Sequence, residues 1–464
     1  MPSSISSREL AYPLSRRIMA TSIPEPALSS SSRDPRSQSL LRVAPRGRTT
    51  AVLEVVVTGI GLVLPNADTR ERLWEHLSQG ASQLAIERDP GDGMDCAIGR
   101  VRDFECSTYL PHVPPKLYAS CHREQQLYLA SLVRAADDAA LGVERLQSER
   151  VGLYDGTSRG CFAAWLELAE RRRDQPGARF SLRELNLLAL PGQAVGIAAA
   201  ILKIKGPTYT FNGTCASGAI AVGHAFHELQ AGRIDVALAT GHDVALVGPV
   251  FQMYRDAGLL SAEACDPRRA IRPFSGNSAN AFGEGAVTLV LETRSHAEAR
   301  KATGLAELVA YRYGNGGDHP TDVDFTGERP ARLIGDALGD AQIGSDVVDF
   351  VVGHGNGVPV SDISELNYMK RVFGRRTSEV PLISTKPIYG HTFGASSALN
   401  VAAAALMLHH DFIVPTVGVD EARVVHGFNH QANRGSAREL SCGLAVSYGI
   451  GGQNAAVVLR KAEA

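Results

Sequence analysis

The 464-residue chain lacks a strong charge of either sign. Forty-seven Lys and Arg stand against 49 Asp and Glu, a net of −2, whereas a nucleic-acid binder carries a clear basic excess. It also lacks any apolar run near the roughly 18 residues that a membrane-spanning helix needs. The longest obvious one, Val401 to Leu408, reads as a piece of buried helix. The seven cysteines (Cys96, Cys106, Cys121, Cys161, Cys215, Cys265 and Cys442) are odd in number, widely spaced and without a C-x-x-C. That argues against a disulfide framework and a zinc site, and for a reducing compartment. No H-E-x-x-H occurs, and no metal is expected. Gly59 and Gly61 begin a dinucleotide fingerprint that Leu64 leaves unfinished. The 46 glycines have no three-residue period, which excludes a collagen-like chain.

What is present divides unevenly. Residues 1–50 hold eight arginines, no lysine, twelve serines and only Glu9, Glu25 and Asp34. This +5 segment leaves −7 for the rest of the chain. Arg- and Ser-rich, acid-poor composition describes a disordered tail, a misplaced start upstream of Met19 or a later codon, or an organelle transit peptide. Secretion is not expected, since no apolar stretch with a small-residue cleavage site is present. The expected location is the cytoplasm, with organelle targeting by residues 1–50 as the alternative.

From residue 52 the texture changes to short β-branched strands alternating with helical patterns. Val52–Thr58 reads as a strand, Gly59-Ile60-Gly61 as a turn, and Asp68 to Leu77 as a helix capped by Asp68. Further strands are expected at Val151–Tyr154, Val236–Thr240, Ala286–Leu291, Phe350–Val352, Leu444–Ser447 and Ala455–Leu459. Strands separated by helices indicate an α/β fold. Two segments, 212–227 and 386–405, each set a reactive side chain at the mouth of a helix rich in Ala, Gly and Ser, which points to an internal duplication.

Cys215 is the candidate nucleophile. It lies in Gly213-Thr214-Cys215-Ala216-Ser217-Gly218, at a strand-to-helix turn, where amide dipoles would lower a thiol pKa. A buried structural cysteine is the competing reading. His354, in Gly353-His-Gly-Asn-Gly357, and His391, in Tyr389-Gly-His-Thr392, sit in glycine-flanked turns that leave a ring free to enter a pocket. Most other histidines, His76, His409 and His410 among them, read as surface or helix residues. Gly449-Ile-Gly-Gly-Gln-Asn454 is either a tight turn between strands or a source of backbone N–H groups for an oxyanion.

Together these residues resemble the β-ketoacyl-acyl-carrier-protein synthases, the condensing-enzyme branch of the thiolase fold. The resemblance runs from Val55 to Arg460. It is carried by Val55–Gly61, Thr214-Cys-Ala-Ser-Gly218, Gly283-Glu-Gly-Ala286, Gly353-His-Gly355 followed by Asp362 and Glu365, Ser384-Thr-Lys-Pro-Ile-Tyr-Gly-His391, and Tyr448–Asn454. It implies a duplicated, five-layered αβαβα fold, with residues 51–293 carrying the nucleophile and 294–464 the histidines. It implies that Cys215 takes an acyl group from a carrier. His354 and His391, with Lys386 beside them, then stabilise the enolate of a decarboxylating malonyl-type extender. Backbone N–H groups of Cys215 and Ile450 would form the oxyanion hole, and Asp362 and Glu365 would be supporting groups. No bound cofactor is implied. The phosphopantetheine arm of an acyl carrier protein brings acyl and malonyl thioesters, and the enzyme is a homodimer or a heterodimer with a related subunit.

The departures concern the walls of the site. Asn356 and Val358 stand where the family usually has Thr residues that contact the pantetheine arm, and Ile450 replaces an aromatic gate. Ser278–Phe282 and Val446-Ser447-Tyr448 also differ from the family pattern. They suggest a specialised synthase with an unusual acyl or extender substrate. The alternatives are a thioester hydrolase or acyltransferase on the same scaffold, and a non-catalytic partner subunit. An acidic carrier would need a basic docking patch, for which Arg171–Arg173, Arg268-Arg269 and Arg375-Arg376 are candidates.

Overall fold

The computed structural model describes residues 52–463, apart from 178, 182, 183, 185–189, 191, 276, 277, 318 and 322. The tail read at residues 1–50 lies outside the described residues. Among those described, the main sheet has ten strands: β1 (Val55–Val63), β2 (Val151–Thr157), β3 (Thr208–Phe211), β4 (Val236–Asp243), β5 (Gly285–Thr293), β6 (Ala306–Asn315), β7 (Phe350–Val352), β8 (Leu382–Ile383), β9 (Cys442–Gly449) and β10 (Gln453–Lys461). The helices that matter for the site are α1 (Arg70–Gln79), α2 (Arg123–Asp138), α3 (Gln193–Leu202), α4 (Ser217–Gln230), α5 (Gly248–Asp256), α6 (Glu328–Asp340), α7 (Pro359–Phe373) and α8 (Gly394–His410).

The sheet order is β8-β7-β9-β10-β6-β1-β5-β4-β2-β3. Outward from the centre, one half runs β1-β5-β4-β2-β3 and the other β6-β10-β9-β7-β8, the same order with every number raised by five. Directions repeat as well. The inner two pairs are antiparallel and the outer two parallel in the first half, and likewise in the second. The halves join through antiparallel pairing of β1 with β6. The duplication suggested by the two helix mouths is therefore a repeat of topology.

Side-chain alternation explains the layers. Leu289 and Leu291 of β5, with Val457 and Leu459 of β10, face a central core shared with α4 and α8. Val290 points the other way, onto α2 and α3, and Val458 onto α6 and α7. Strands buried on both faces give near-continuous apolar runs. Helix α8 is buried from Gly394 to Leu408, as a helix between two sheets must be. The result is the five-layered αβαβα arrangement, and Val52–Ala464 packs as one unit. Among the described residues no helix is long and apolar enough to cross a membrane.

Two local readings need correction. Gly59-Ile60-Gly61 does not turn the chain, because β1 continues through it to Val63, with a bulge between Val57 and Gly59. A Cβ on Gly61 would lie 2.0 Å from the Ala135 nitrogen, so glycine is there to let α2 lie against the strand. Helix α1 is capped by Thr69, whose side chain accepts the Arg72 N–H at 3.2 Å; Asp68 instead binds Arg134 at 2.6 Å. His76 is in a helix but buried, with Nδ1 2.9 Å from the Tyr389 hydroxyl.

Candidate active site

The strand ends of both halves meet at the mouths of α4 and α8. Cys215 occupies a one-turn 3-10 segment, Thr214–Ala216, between β3 and α4. His391 lies just before α8. Its Nε2 is 3.1 Å from Cys215 Sγ. Both mouths hold a non-glycine residue at positive φ, Thr214 at 53° and Phe393 at 49°. Such backbone costs on the order of 1–3 kcal/mol and persists where the surroundings over-determine it.

The proton on His391 can be placed from its partners. The Phe393 N–H donates to Nδ1 at 3.2 Å, and Ser396 Oγ lies 3.1 Å from the same atom. A neutral ring that accepts at Nδ1 carries its proton on Nε2, which faces the sulfur. Burial, together with the charges of Lys386 and Arg159, holds His391 well below the usual histidine range. His354, on the turn after β7, is held low by burial, Lys386 and His391. Its ring stands edge-on to that of His391, centroids 5.5 Å apart at 87°. Two neutral imidazoles thus border the thiol.

Behind them lies a buried polar frame. Lys386 Nζ donates to the His354 carbonyl oxygen. Glu365 accepts the N–H groups of His354 at 2.8 Å and Gly355 at 2.5 Å. Burial pulls Lys386 down and pushes Glu365 up, while each favours the charged form of the other. Asp362, one helical turn earlier on α7, accepts the Phe274 N–H at 2.6 Å. Neither acid lines the cavity around the thiol, in keeping with supporting positions. The thiol itself departs from expectation. Burial pushes Cys215 up to about 11, against the pull of Lys386 and Arg159, so desolvation outweighs the favourable charges at this helix mouth.

A cavity of about 390 Å³ opens onto Cys215, His354 and His391 and is walled by Tyr254, Asn356, Val358, Tyr448 and Ile450 among others. Asn356 turns its side-chain oxygen back to the Val358 N–H at 3.0 Å, and Val358 occupies the N-cap position of α7 without a side-chain cap. Ile450 sits in the β9–β10 turn, 41% exposed, at the rim. That turn presses on the nucleophile segment. A Cβ on Gly449 would lie 1.9 Å from Thr214 Oγ1.

The sequence reading missed Asp243, Arg159 and Tyr254. Asp243, at the end of β4, accepts the N–H groups of Ser158 (2.9 Å), Arg159 (2.8 Å) and Gly394 (2.6 Å). It thereby ties the turn after β2 to the mouth of α8. An acid ending an apolar strand was the available signal. The arginine pairs offered for docking have local partners: Arg171 with Glu184, Arg268 with Asp266, and Arg376 with the Ser345 and Val348 carbonyls.

Comparison with known proteins agrees with this fold. Residues 53–297 match the family described as "Beta-ketoacyl synthase, N-terminal domain" and residues 305–420 match "Beta-ketoacyl synthase, C-terminal domain". A candidate polyketide beta-ketoacyl synthase 1 of Streptomyces halstedii is 32% identical over 87% of this chain and 97% of its own. A 3-oxoacyl-[acyl-carrier-protein] synthase 2 of Synechocystis is 26% identical over 88% and 98%. Among solved structures, the ishigamide ketosynthase/chain length factor superposes with a TM-score of 0.80 at 26% identity, over 89% of this chain and 100% of that one. A type II PKS acyl-carrier protein in complex with its ketosynthase bound to a hexaketide gives 0.78 at 25%, over 89% and 100%.

Proposed function

The chain belongs to the beta-ketoacyl synthase family, and from that premise we propose that it is a condensing acyltransferase of fatty-acid or polyketide synthesis with Cys215 as its nucleophile. The observation that carries the reading is the contact of Cys215 Sγ with the Nε2 of a neutral His391, at one cavity shared with His354.

The Cys215 sulfur attacks the carbonyl carbon of an acyl thioester as its thiol gives up its proton. The carbon–sulfur bond to the carrier breaks, and the carrier sulfur takes that proton and leaves as a thiol. A malonyl-type extender then enters with its thioester oxygen between His354 and His391. The bond to its carboxylate breaks, carbon dioxide departs, and the electron pair remains as an enolate. Neutral donors suit this step, because an N–H aimed at a developing oxyanion stabilises it without giving up its proton. The enolate carbon attacks the acyl-cysteine, and the thiolate is released. Backbone N–H groups of Cys215 and Ile450 receive the oxyanion of that attack. Lys386 and Glu365 hold the His354 turn, and Asp362 the start of α7.

The substrates arrive on the phosphopantetheine arm of an acyl carrier protein, a reading supported by the relative solved with its own carrier. The assembly is a dimer, homomeric or with a related subunit, of which the ketosynthase/chain length factor relative is a precedent. Residues 51–293 and 294–464 act as its two repeats. The altered walls at Asn356, Val358 and Ile450 favour a specialised acyl or extender group. Use of ordinary saturated acyl and malonyl carriers at a housekeeping rate would remove that last refinement.

Intact-mass measurement tests the core of the proposal. Acyl thioester should add one acyl mass to the protein and none to Cys215→Ala. Adding a malonyl carrier should then release carbon dioxide and a β-ketoacyl product. An adduct that only hydrolyses would overturn condensation, and an adduct on Cys215→Ala would overturn the nucleophile.

A further inference from the structure

Arg159 stands in the turn after β2, the topological counterpart of the turn after β7 that carries His354. Its backbone is fixed by Asp243. Its guanidinium carbon lies 5.5 Å from the Phe393 ring centroid and 5.9 Å from that of Tyr254. Tyr254 forms part of the cavity wall at Cys215, and the Phe393 ring stacks on His391 at 5.2 Å. Among the described residues, the guanidinium makes one hydrogen bond, Nη2 to the Tyr254 hydroxyl at 3.3 Å. Its Nε is buried with no partner, and it forms no ion pair with any described carboxylate. Its charge nevertheless reaches the reacting groups, favouring the Cys215 thiolate and disfavouring protonation of His391.

A part-buried guanidinium between two rings, with unused donors and no counter-ion, is complementary to an anion with paired oxygens. The anion that an acyl thioester can itself carry is a carboxylate. Resting on the reading of Cys215 as the acyl acceptor, we propose that Arg159 is a specificity residue that recognises a carboxylate on the acyl chain held by Cys215. The substrate class would then be half-thioesters of dicarboxylic acids. Arg159 takes no part in bond making. It binds the distal carboxylate while the thiolate displaces the carrier thiol, as with any acyl donor.

The test uses the full chain and two six-carbon N-acetylcysteamine thioesters, hexanoyl and adipoyl, with initial acylation rates read by intact mass. The wild-type protein should favour adipoyl by about tenfold or more, the scale of a charge-assisted hydrogen bond. Arg159→Leu should lose that preference, the adipoyl-to-hexanoyl ratio falling toward one even where both rates drop with the lost charge beside Cys215, and Arg159→Lys should keep part of it. Wild-type protein that prefers hexanoyl overturns the proposal, whatever the folding of the variants. A ratio unchanged in Arg159→Leu leaves Arg159 as a wall and overturns it as well. Absence of an adduct from every donor overturns the nucleophile reading as well, whereas an adduct formed without the adipoyl preference overturns this proposal alone.

Discussion

In the turn after β2, the Asp243 carboxylate takes the successive N–H groups of Ser158 and Arg159. In the turn after β7, the Glu365 carboxylate takes those of His354 and Gly355. The two turns occupy equivalent places in the two repeats, at the ends of second strands and facing the helix mouths. The backbone arrangement is alike, yet one turn presents a guanidinium and the other an imidazole. The acids also come from different places, the end of β4 in one half and α7 in the other. Duplication supplied two rigid turns, each fixed by a buried carboxylate, and the side chains then diverged. On the proposed reading, the half with the nucleophile takes the acyl chain and the half with the histidines the extender.

Removing the acids tests that division most severely. Asp243→Ala orphans three amides, one buried and two part-buried, and Glu365→Ala two buried ones. An unpaired buried donor costs about 1–3 kcal/mol, so urea melts should show a loss of several kcal/mol in each, larger for Asp243. The kinetic losses should separate. Asp243→Ala should slow formation of the acyl adduct, whereas Glu365→Ala should still form the adduct and fail to release carbon dioxide. Equal damage to both steps in both variants would mean that the turns have no separate roles.

A smaller effect lies at the mouth of α4. With the thiol near 11, iodoacetamide labelling of Cys215 should rise about tenfold per pH unit from pH 7 to 10, following the thiolate fraction. The Lys386 charge favours the thiolate, so Lys386→Met should move the profile to higher pH. A plateau by pH 8 would show that the helix mouth, and not burial, governs the sulfur.

The smallest change sharpens the contrast from the extender side. Val358→Thr places a hydroxyl in the cavity wall, and a net hydrogen bond of about 1 kcal/mol should lower KM for a malonyl carrier about fivefold, with kcat little altered. An equal gain in the acyl-transfer half-reaction would mean that Val358 meets the carrier arm common to both substrates.

Much of this arrangement was legible in the sequence. Cys215, His354, His391 and Lys386 stand out because glycines and small residues mark the turns around them. The strands were readable as apolar β-branched runs, although most extend past the expected ends because charged or polar termini such as Asp243 and Lys461 still pair. Arg159 and Asp243 were not legible. Their meaning depends on each other across 84 positions, and on Gly394 across 151. Locally, Arg159 reads as a surface arginine, and Asp243 shows only as an acid ending an apolar strand, with no sign of its partners. The Gly59–Gly61 turn was misread for a similar reason, since the partner that requires those glycines is α2, far along the chain.

The pressure of Gly449 on Thr214 also bears on how the protein is made. The cysteine emerges from the ribosome long before the β9–β10 hairpin that backs it, and domains tend to form from the N-terminal end as synthesis proceeds. The first repeat can therefore pair its strands early, while its nucleophile segment waits for the last strand to close over it. Acyl transfer becomes available only after the β9–β10 hairpin has been made, so fragments that stop short of β10 should expose a thiol but take up no acyl group.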